Sequence, residues 1–250
     1  MLVDTHCHIH EPEYPQPLDE TIARAHAAGV TKMICVGTSV RSSRQAMEAA
    51  EQHDSLFAAI GVHPHDAKDG VSEIAQLAKL AMQKVVAVGE IGLDYHYNNS
   101  PADVQIAALE EQLQVARDYN LPVIFHVRSA FNEFWPVFAN FSGTRGVLHS
   151  FTDSAVHLQK ALQHDLYIGV NGISTFTKDT AQQEMFLQIP FERLLLETDA
   201  PFLTPSPFRG KMNEPSMVRE VAKQYATRRD VSLTELAAWT TRNAEALFGI

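Results

Sequence analysis

Short apolar runs rich in β-branched residues alternate along the chain with segments whose apolar residues recur at helical spacing. Eight of these runs are predicted strands, and their continuous apolar character is typical of a parallel sheet covered on both faces. The predicted strands lie at 2–9, 32–37, 56–64, 85–94, 122–129, 146–151, 166–172 and 194–201. Between them, the clearest predicted helices lie at 18–29, 71–82 and 102–119.

The order of these elements predicts the fold class. Eight β-α units in 250 residues match the size of an α/β protein with a (β/α)8 TIM barrel, and we expect a single domain over residues 1–250. An open, doubly wound sheet is the rival architecture. No G-x-G-x-x-G motif follows the first strand, which weakens the dinucleotide-binding form of that rival.

Composition and charge narrow the classes of function. The formal net charge of −10 argues against a broad basic surface for duplex nucleic acid, although a local cluster of cations would still hold a strand end. Cys7 and Cys35 are the only cysteines, so no disulfide framework is expected and a cytoplasmic location is predicted. Neither a secretory signal nor an apolar stretch of about 20 residues is visible, and no membrane association is expected.

Polar residues gather where the predicted strands end. His6 and His8 share one face of the first strand, because side chains alternate along a strand. The later strands contribute histidines and carboxylates near their ends, namely His63, His65, Glu90, His126, His149 and Asp199. In a (β/α)8 barrel the carboxyl ends of the strands carry the catalytic groups. We therefore expect these side chains to converge.

Such a set of imidazoles and carboxylates predicts a metal site. For any single histidine, a structural role with a backbone partner is as good an explanation. Burying the whole set without a cation would be costly. The ligands outnumber those of one tetrahedral ion, so we predict two divalent ions that share Glu90. The first site would use His6, His8, Glu90 and Asp199, and the second would use Glu90, His126 and His149.

Six ordered stretches resemble the TatD-type metal-dependent DNase family, within the amidohydrolase-like barrels. They are DTHCH (4–8), GVHPHDA (61–67), GEIGLDYHY (89–97), LPVIFHVRSA (121–130), HSFT (149–152) and LLETDAPFLTPSPFRGKMNEP (195–215). The resemblance implies a hydrolase that trims single-stranded DNA or RNA as a 3′ exonuclease, with Mg²⁺ or Mn²⁺ in activity and Zn²⁺ or Ni²⁺ as further ions for the site. Ser129 and Asp153 depart from the family pattern, where an acidic residue and a glycine are usual.

Roles for individual residues follow from their positions. Glu90 and Asp199 are the predicted catalytic residues; Asp199 either accepts a proton from the attacking water or serves as a metal ligand alone. Glu197, two residues earlier on the same strand face, is expected to support the metal ligands and not to bind the metal itself. The predicted substrate-binding residues, as donors to phosphate or as proton carriers, are Arg128, Arg209, Lys211, His63 and His65.

Three functions remain open at this stage. The first is a nuclease on single-stranded nucleic acid ends. The second is a metal-dependent deacylase or amidase whose substrates include aminoacyl-tRNA, since the same ligands serve attack on a carbonyl. The third is a binding module without catalysis, which the complete ligand set disfavours. No obligate protein partner is indicated, and a monomer is expected.

Overall fold

The computed structural model describes residues 1–80 and 84–250, and eight strands follow one another along this part of the chain. They form one sheet in the order β1 to β8, and the pairs β1–β2, β3–β4, β4–β5, β5–β6 and β7–β8 are parallel. The strands are β1 (Leu2–Cys7), β2 (Val30–Val36), β3 (Leu56–Ile60), β4 (Val85–Asp94), β5 (Val123–Arg128), β6 (Gly146–Leu148), β7 (Tyr167–Val170) and β8 (Leu194–Leu196). This topology confirms the predicted (β/α)8 fold class.

Helices separate the strands as the apolar periodicity predicted. They are α1 (Leu18–Ala27), α2 (Val40–Gln52), α3 (Glu73–Leu80), α4 (Ala102–Asp118), α5 (Phe131–Ala139), α6 (Ala155–Gln163), α7 (Ile173–Phe176), α8 (Thr180–Leu187), α9 (Val218–Arg228) and α10 (Leu233–Phe248). The end of the predicted helix 71–82, at Ala81 and Met82, lies outside the described residues. In the described part of the chain, no helix combines the length and the apolar character needed to cross a bilayer.

The first of two compact units comprises Met1–Cys35 and Ser150–Ile250. Within it the first and last strands are neighbours, because Cys7 and Ala200 form a parallel bridge. The His8 N–H donates to the carbonyl of Ala200 and the Asp199 N–H donates to that of His6, each at 2.8 Å. Helices α9 and α10 pack against β1 and β8. These backbone bonds bring residues from the two ends of the chain together.

The second unit comprises Val36–His149. Its α5 places an aromatic stripe in the core, and the ring of Phe125 lies 5.1 Å from Phe134 and 5.7 Å from Phe138. Strands β4 and β5 approach closely at Gly92, which has a φ of 154°. A Cβ there would lie 1.8 Å from the carbonyl oxygen of His126. Only glycine fits this position.

The observed strands are shorter than predicted at several of their carboxyl ends. His8, His63, His149 and Asp199 all lie beyond the last strand residue, so the alternation of faces does not orient them. Thr198, which also follows β8, donates its N–H to the Asp4 carboxylate. The assignment of residues 1–250 to one metal-dependent hydrolase domain stays a prediction.

Candidate active site

Three predicted ligands meet in the first unit, in what we call the β1–β8 cluster (His6, His8 and Asp199). His6 Nε2 lies 3.2 Å from His8 Nε2. Asp199 Oδ1 lies 3.4 Å from His8 Nε2 and 3.8 Å from His6 Nε2. His6 is buried, whereas the Asp199 side chain is 15% exposed. The cluster therefore presents two imidazoles and one carboxylate to a common point near the surface.

Asp4, in β1, supports this cluster by hydrogen bonds to His6 and to the residue before Asp199. Its carboxylate accepts hydrogen bonds from the Thr198 N–H at 2.8 Å, from the Thr198 hydroxyl at 2.6 Å and from the His6 N–H at 3.3 Å. Complete burial raises the pKa of Asp4 to about 8, although the bonds from Thr198 and His6 oppose this shift. The sequence analysis did not assign Asp4 a role. The available signal was a carboxylate two positions before His6 in an otherwise apolar strand.

The turn after β8 fixes the Asp199 carboxylate. Asp199 has a φ of 57°, a left-handed conformation that aspartate tolerates better than most residues. Its carbonyl accepts the Phe202 N–H at 2.8 Å. The buried amide of Asn213 donates to the carbonyls of Thr198 at 2.8 Å and Phe202 at 2.5 Å. Asn213 was also missed, because its partners lie up to 15 residues away.

The second unit contains the β4–β6 cluster (His63, Glu90, His126 and His149). Glu90 lies within β4 and is 4% exposed. Its Oε1 is 2.8 Å from His126 Nδ1, 3.5 Å from His149 Nε2 and 3.7 Å from His63 Nε2. His63 was predicted to contact substrate, yet the structure places it almost as close to Glu90 as the predicted ligand His149.

Asp94 holds the imidazoles of this cluster in place. Its Oδ2 is 3.0 Å from both His126 Nε2 and His65 Nε2, and its Oδ1 accepts the N–H groups of His96 and Tyr97. The bond to Nε2 leaves the Nδ1 of His126 directed at Glu90. A carboxylate in this position sets the tautomer and orientation of a metal-binding histidine. Asp94 lies outside the set of metal ligands that the sequence predicted.

Burial and hydrogen bonding shift the pKa values of this cluster in opposite directions. Burial lowers the pKa of His63 to about 3, so its imidazole is neutral, the form that binds metals. Burial also opposes the charge on His126, but hydrogen bonds to Asp94 and Glu90 outweigh it and raise the His126 pKa. Burial would raise the pKa of Asp94, yet bonds from His126 and Tyr97 hold it well below its usual value.

The predicted phosphate-binding residues are exposed and rest on aromatic rings. In the second unit the Arg128 guanidinium lies 4.8 Å from the centre of the Tyr97 ring. In the first unit the Arg209 guanidinium lies 3.8 Å from the Phe176 ring and donates to the carbonyl of Thr204 at 2.8 Å. The Lys211 ammonium is 5.5 Å from the ring of Phe208. Stacking of this kind orients a cation before a ligand arrives.

Two buried polar side chains of the first unit, Glu197 and Asn171, are hydrogen-bonded to Ser150. Glu197 is 1% exposed and accepts the Ser150 N–H at 2.7 Å, and Asn171 donates to the Ser150 hydroxyl at 2.8 Å. Asp153, a departure from the family pattern, accepts the N–H of Ser154 at 2.6 Å just before α6. Ser129, the other departure, adopts a φ of 54° directly after β5.

Both clusters have the chemistry of a divalent-metal site. His63, Glu90 and His126 offer ligand atoms that all lie within 4.8 Å of one another, and the three ligands of the β1–β8 cluster are closer still. Neutral imidazole with carboxylate is a donor set for zinc, manganese or nickel. The residues present therefore fit a metal in each unit.

The chain is similar over almost its full length to proteins of one family. The family model described as "TatD related DNase" matches residues 3–249. The "uncharacterized metal-dependent hydrolase YabD" of Bacillus subtilis is 41% identical over 100% of both chains. The "3'-5' ssDNA/RNA exonuclease TatD" of Citrobacter rodentium is 37% identical over 93% of this chain and 92% of its own. The crystal structure of YJJV, a TatD homologue from Escherichia coli, superposes with a TM-score of 0.93 at 31% identity, covering 100% of this chain and 98% of that one.

Proposed function

The chain belongs to the TatD-related DNase family and is a metal-dependent hydrolase, and on that premise we propose that it shortens single-stranded DNA or RNA from an end. The direction 3′ to 5′ is taken from the names of the exonuclease relatives. The observation that carries the proposal is the pair of imidazole–carboxylate clusters. Each unit also carries an arginine oriented by an aromatic ring, Arg128 or Arg209, and such cations suit a phosphodiester better than a neutral ester.

The metal ligands follow from the two clusters. We assign His6, His8 and Asp199 to one divalent ion, and Glu90, His126 and His149 to another. Ions bound there supply positive charge to the phosphate oxygens and lower the pKa of a water molecule. Sharing of Glu90 between both ions stays a prediction from the sequence, as do Mg²⁺ or Mn²⁺ as the ions of catalysis and Zn²⁺ or Ni²⁺ as alternatives.

Asp199 is the proposed proton acceptor. The oxygen of water attacks the phosphorus, and the water proton passes to the Asp199 carboxylate. The bond from phosphorus to the leaving sugar oxygen breaks, and that oxygen takes up a proton from solvent as it leaves as an alcohol. Its position supports this role, since the carboxylate is partly exposed and the turn after β8 fixes its backbone. Glu90, by contrast, is buried among three imidazoles and serves to hold them.

The rim cations are proposed to bind the phosphates of the strand. The guanidinium of Arg209 is already oriented by Phe176 and Thr204, so little side-chain freedom is lost when it binds phosphate bidentately. Arg128 is oriented in the same way by Tyr97. Lys211, whose ammonium lies 5.5 Å from the ring of Phe208, adds a further positive charge. His65, whose Nε2 faces Asp94, and His63, a neutral imidazole and not a rim cation, complete the proposed substrate-binding set.

The test is shortening of end-labelled single-stranded DNA and RNA with Mg²⁺ or Mn²⁺. Wild type should release nucleotides stepwise, and Asp199→Asn and Glu90→Gln should each lose about 10²- to 10³-fold or more in rate. Asp165→Asn is a matched control, because Asp165 is exposed and also has a φ of 57°. Glu111→Gln, exposed on α4, controls for Glu90.

Three outcomes would overturn the proposal. Equal degradation by all five proteins would indicate a contaminant. Cleavage of an aminoacyl or amide substrate without any shortening of nucleic acid would establish the deacylase instead. Bound metal with no hydrolysis of any of these substrates would favour a binding module.

A further inference from the structure

Phe202 is a large apolar side chain that remains 59% exposed in the turn after β8. Its ring lies edge-on to the ring of His8, with the centroids 6.5 Å apart and the planes at 61°. His8 belongs to the β1–β8 cluster. An exposed aromatic ring therefore borders the imidazoles and the carboxylate that we assign to a metal.

The backbone of Phe202 is held rigidly, so the ring stays outside. Its N–H donates to the Asp199 carbonyl and its own carbonyl accepts from the buried Asn213 amide. The next residue, Leu203, packs against Gly172, since a Cβ on Gly172 would lie 1.9 Å from the Leu203 carbonyl oxygen. The turn therefore has no room to fold inward and bury the ring. An exposed large apolar side chain on such a fixed support is typical of a binding surface.

We propose that Phe202 stacks on the base of the terminal nucleotide while the adjoining phosphodiester lies at the β1–β8 cluster. This inference rests on the proposed function and specifies how a strand end is recognised. Every base has a π-face, so stacking selects a free base without selecting its identity. A base in a duplex is already stacked and paired, and unpaired ends are therefore preferred. Arg209, held in the same loop by Thr204, supplies a cation for the backbone of the same strand.

The first experiment compares two oligonucleotides that differ in one base. The terminal nucleotide at the attacked end carries either adenine or an abasic tetrahydrofuran, and the label is at the other end. We expect Phe202→Leu to lower kcat/KM on the adenine-ended strand about tenfold, mainly through KM, and to change the abasic-ended strand less than about twofold. Phe202→Tyr should retain the wild-type preference. Tyr119→Leu, an exposed aromatic after α4, should behave as wild type.

A second measurement detects stacking without hydrolysis. The terminal base is replaced by 2-aminopurine, whose fluorescence falls on stacking, and protein is titrated in with EDTA present. Wild type and Phe202→Tyr should quench the fluorescence, and Phe202→Leu should not.

The outcomes separate this inference from the proposed function. An equal loss on adenine-ended and abasic-ended strands in Phe202→Leu, or the same quenching with leucine as with phenylalanine, would overturn the role of Phe202. If wild type leaves every oligonucleotide intact, the proposed exonuclease activity fails, and the fluorescence titration alone decides whether Phe202 stacks on a base.

Discussion

The β1–β8 cluster and the β4–β6 cluster use the same side-chain types but are held by different bonds. In the first, the backbone is fixed: Asp4 accepts N–H groups from Thr198 and His6, and Asn213 donates to two carbonyls. In the second, the side chains are bonded to one another, with His126 between Glu90 and Asp94. The first cluster is therefore positioned through the chain path, and the second through its own imidazole–carboxylate bonds.

This difference predicts which substitutions lower the free energy of unfolding and which lower the affinity for metal. Removing a side chain that accepts backbone N–H groups, such as Asp4, should lower the free energy of unfolding, because the buried N–H groups then lack an acceptor. A bond to an imidazole should affect the orientation of a ligand and therefore metal binding. Substitutions at three positions test this contrast, from the largest expected effect to the smallest.

Gly92→Ala should have the largest effect, because it breaks the backbone contact beneath the β4–β6 cluster. The new Cβ would meet the His126 carbonyl and the φ of 154° suits only glycine, so we expect a loss of about 4 kcal/mol or more in the free energy of unfolding. Urea denaturation measures it. Gly143→Ala is the control, with a φ of 86° and no atom within 4 Å; it should cost only about 1 kcal/mol. Similar losses in both variants would show that β4 and β5 move apart easily.

Asp94→Asn should weaken metal binding by the β4–β6 cluster. Removing the charge that holds His126 and His65 should lower affinity about 10- to 100-fold, while the affinity of the β1–β8 cluster stays the same. Isothermal titration calorimetry with Zn²⁺ or Mn²⁺ resolves the two classes of site. Asp54→Asn, at an exposed aspartate of the same unit, controls for net charge. An equal loss at both sites would contradict a role for Asp94 confined to the β4–β6 cluster.

Asp4 substitutions should act on stability and on its dependence on pH. Asp4→Ala leaves the buried N–H of Thr198 without its acceptor and should cost about 1–3 kcal/mol. Because the folded pKa of Asp4 is raised from 3.8 to about 8, the folded chain binds the proton more tightly. The contribution that protonation of Asp4 makes to the free energy of unfolding of the wild-type chain is therefore fully present below pH 3.8. It is lost as the pH rises towards about 8.

Asp4→Asn, an isostere of the protonated acid, should remove that part of the pH dependence. Urea denaturation from pH 4 to pH 9 with a chelator compares the two proteins. If the free energy of unfolding of Asp4→Asn depends on pH as steeply as that of wild type, other groups cause the dependence. Full stability of Asp4→Ala would show that the Thr198 N–H finds another acceptor.

The fold was predictable because its signals are local. Each strand of a parallel sheet is apolar on both faces, and the run 85–94 was predicted with the bounds that β4 has. The convergence of side chains was predictable where residue type and strand end coincided: His6, His8 and Asp199 meet in the first unit, and Glu90, His126 and His149 meet in the second. Their roles as metal ligands stay predictions.

The rest of the site depends on contacts between distant residues. Asp4 and Thr198 are 194 positions apart, and no local pattern shows which buried donor a carboxylate will accept. The closeness of His63 to Glu90 was missed for the same reason, since the turn after β3 directs that ring. The exposure of Phe202 depends on the packing of its turn against Gly172.

The sequence alone therefore determined which elements form and which chemical groups stand at their ends, because periodicity and residue type act over a few positions. The tertiary structure alone decided which side chains are hydrogen-bonded to one another and which aromatic ring stays exposed. Hydrogen-bond geometry is set to tenths of an ångström by the path of the whole chain, and that path is a property of no single segment.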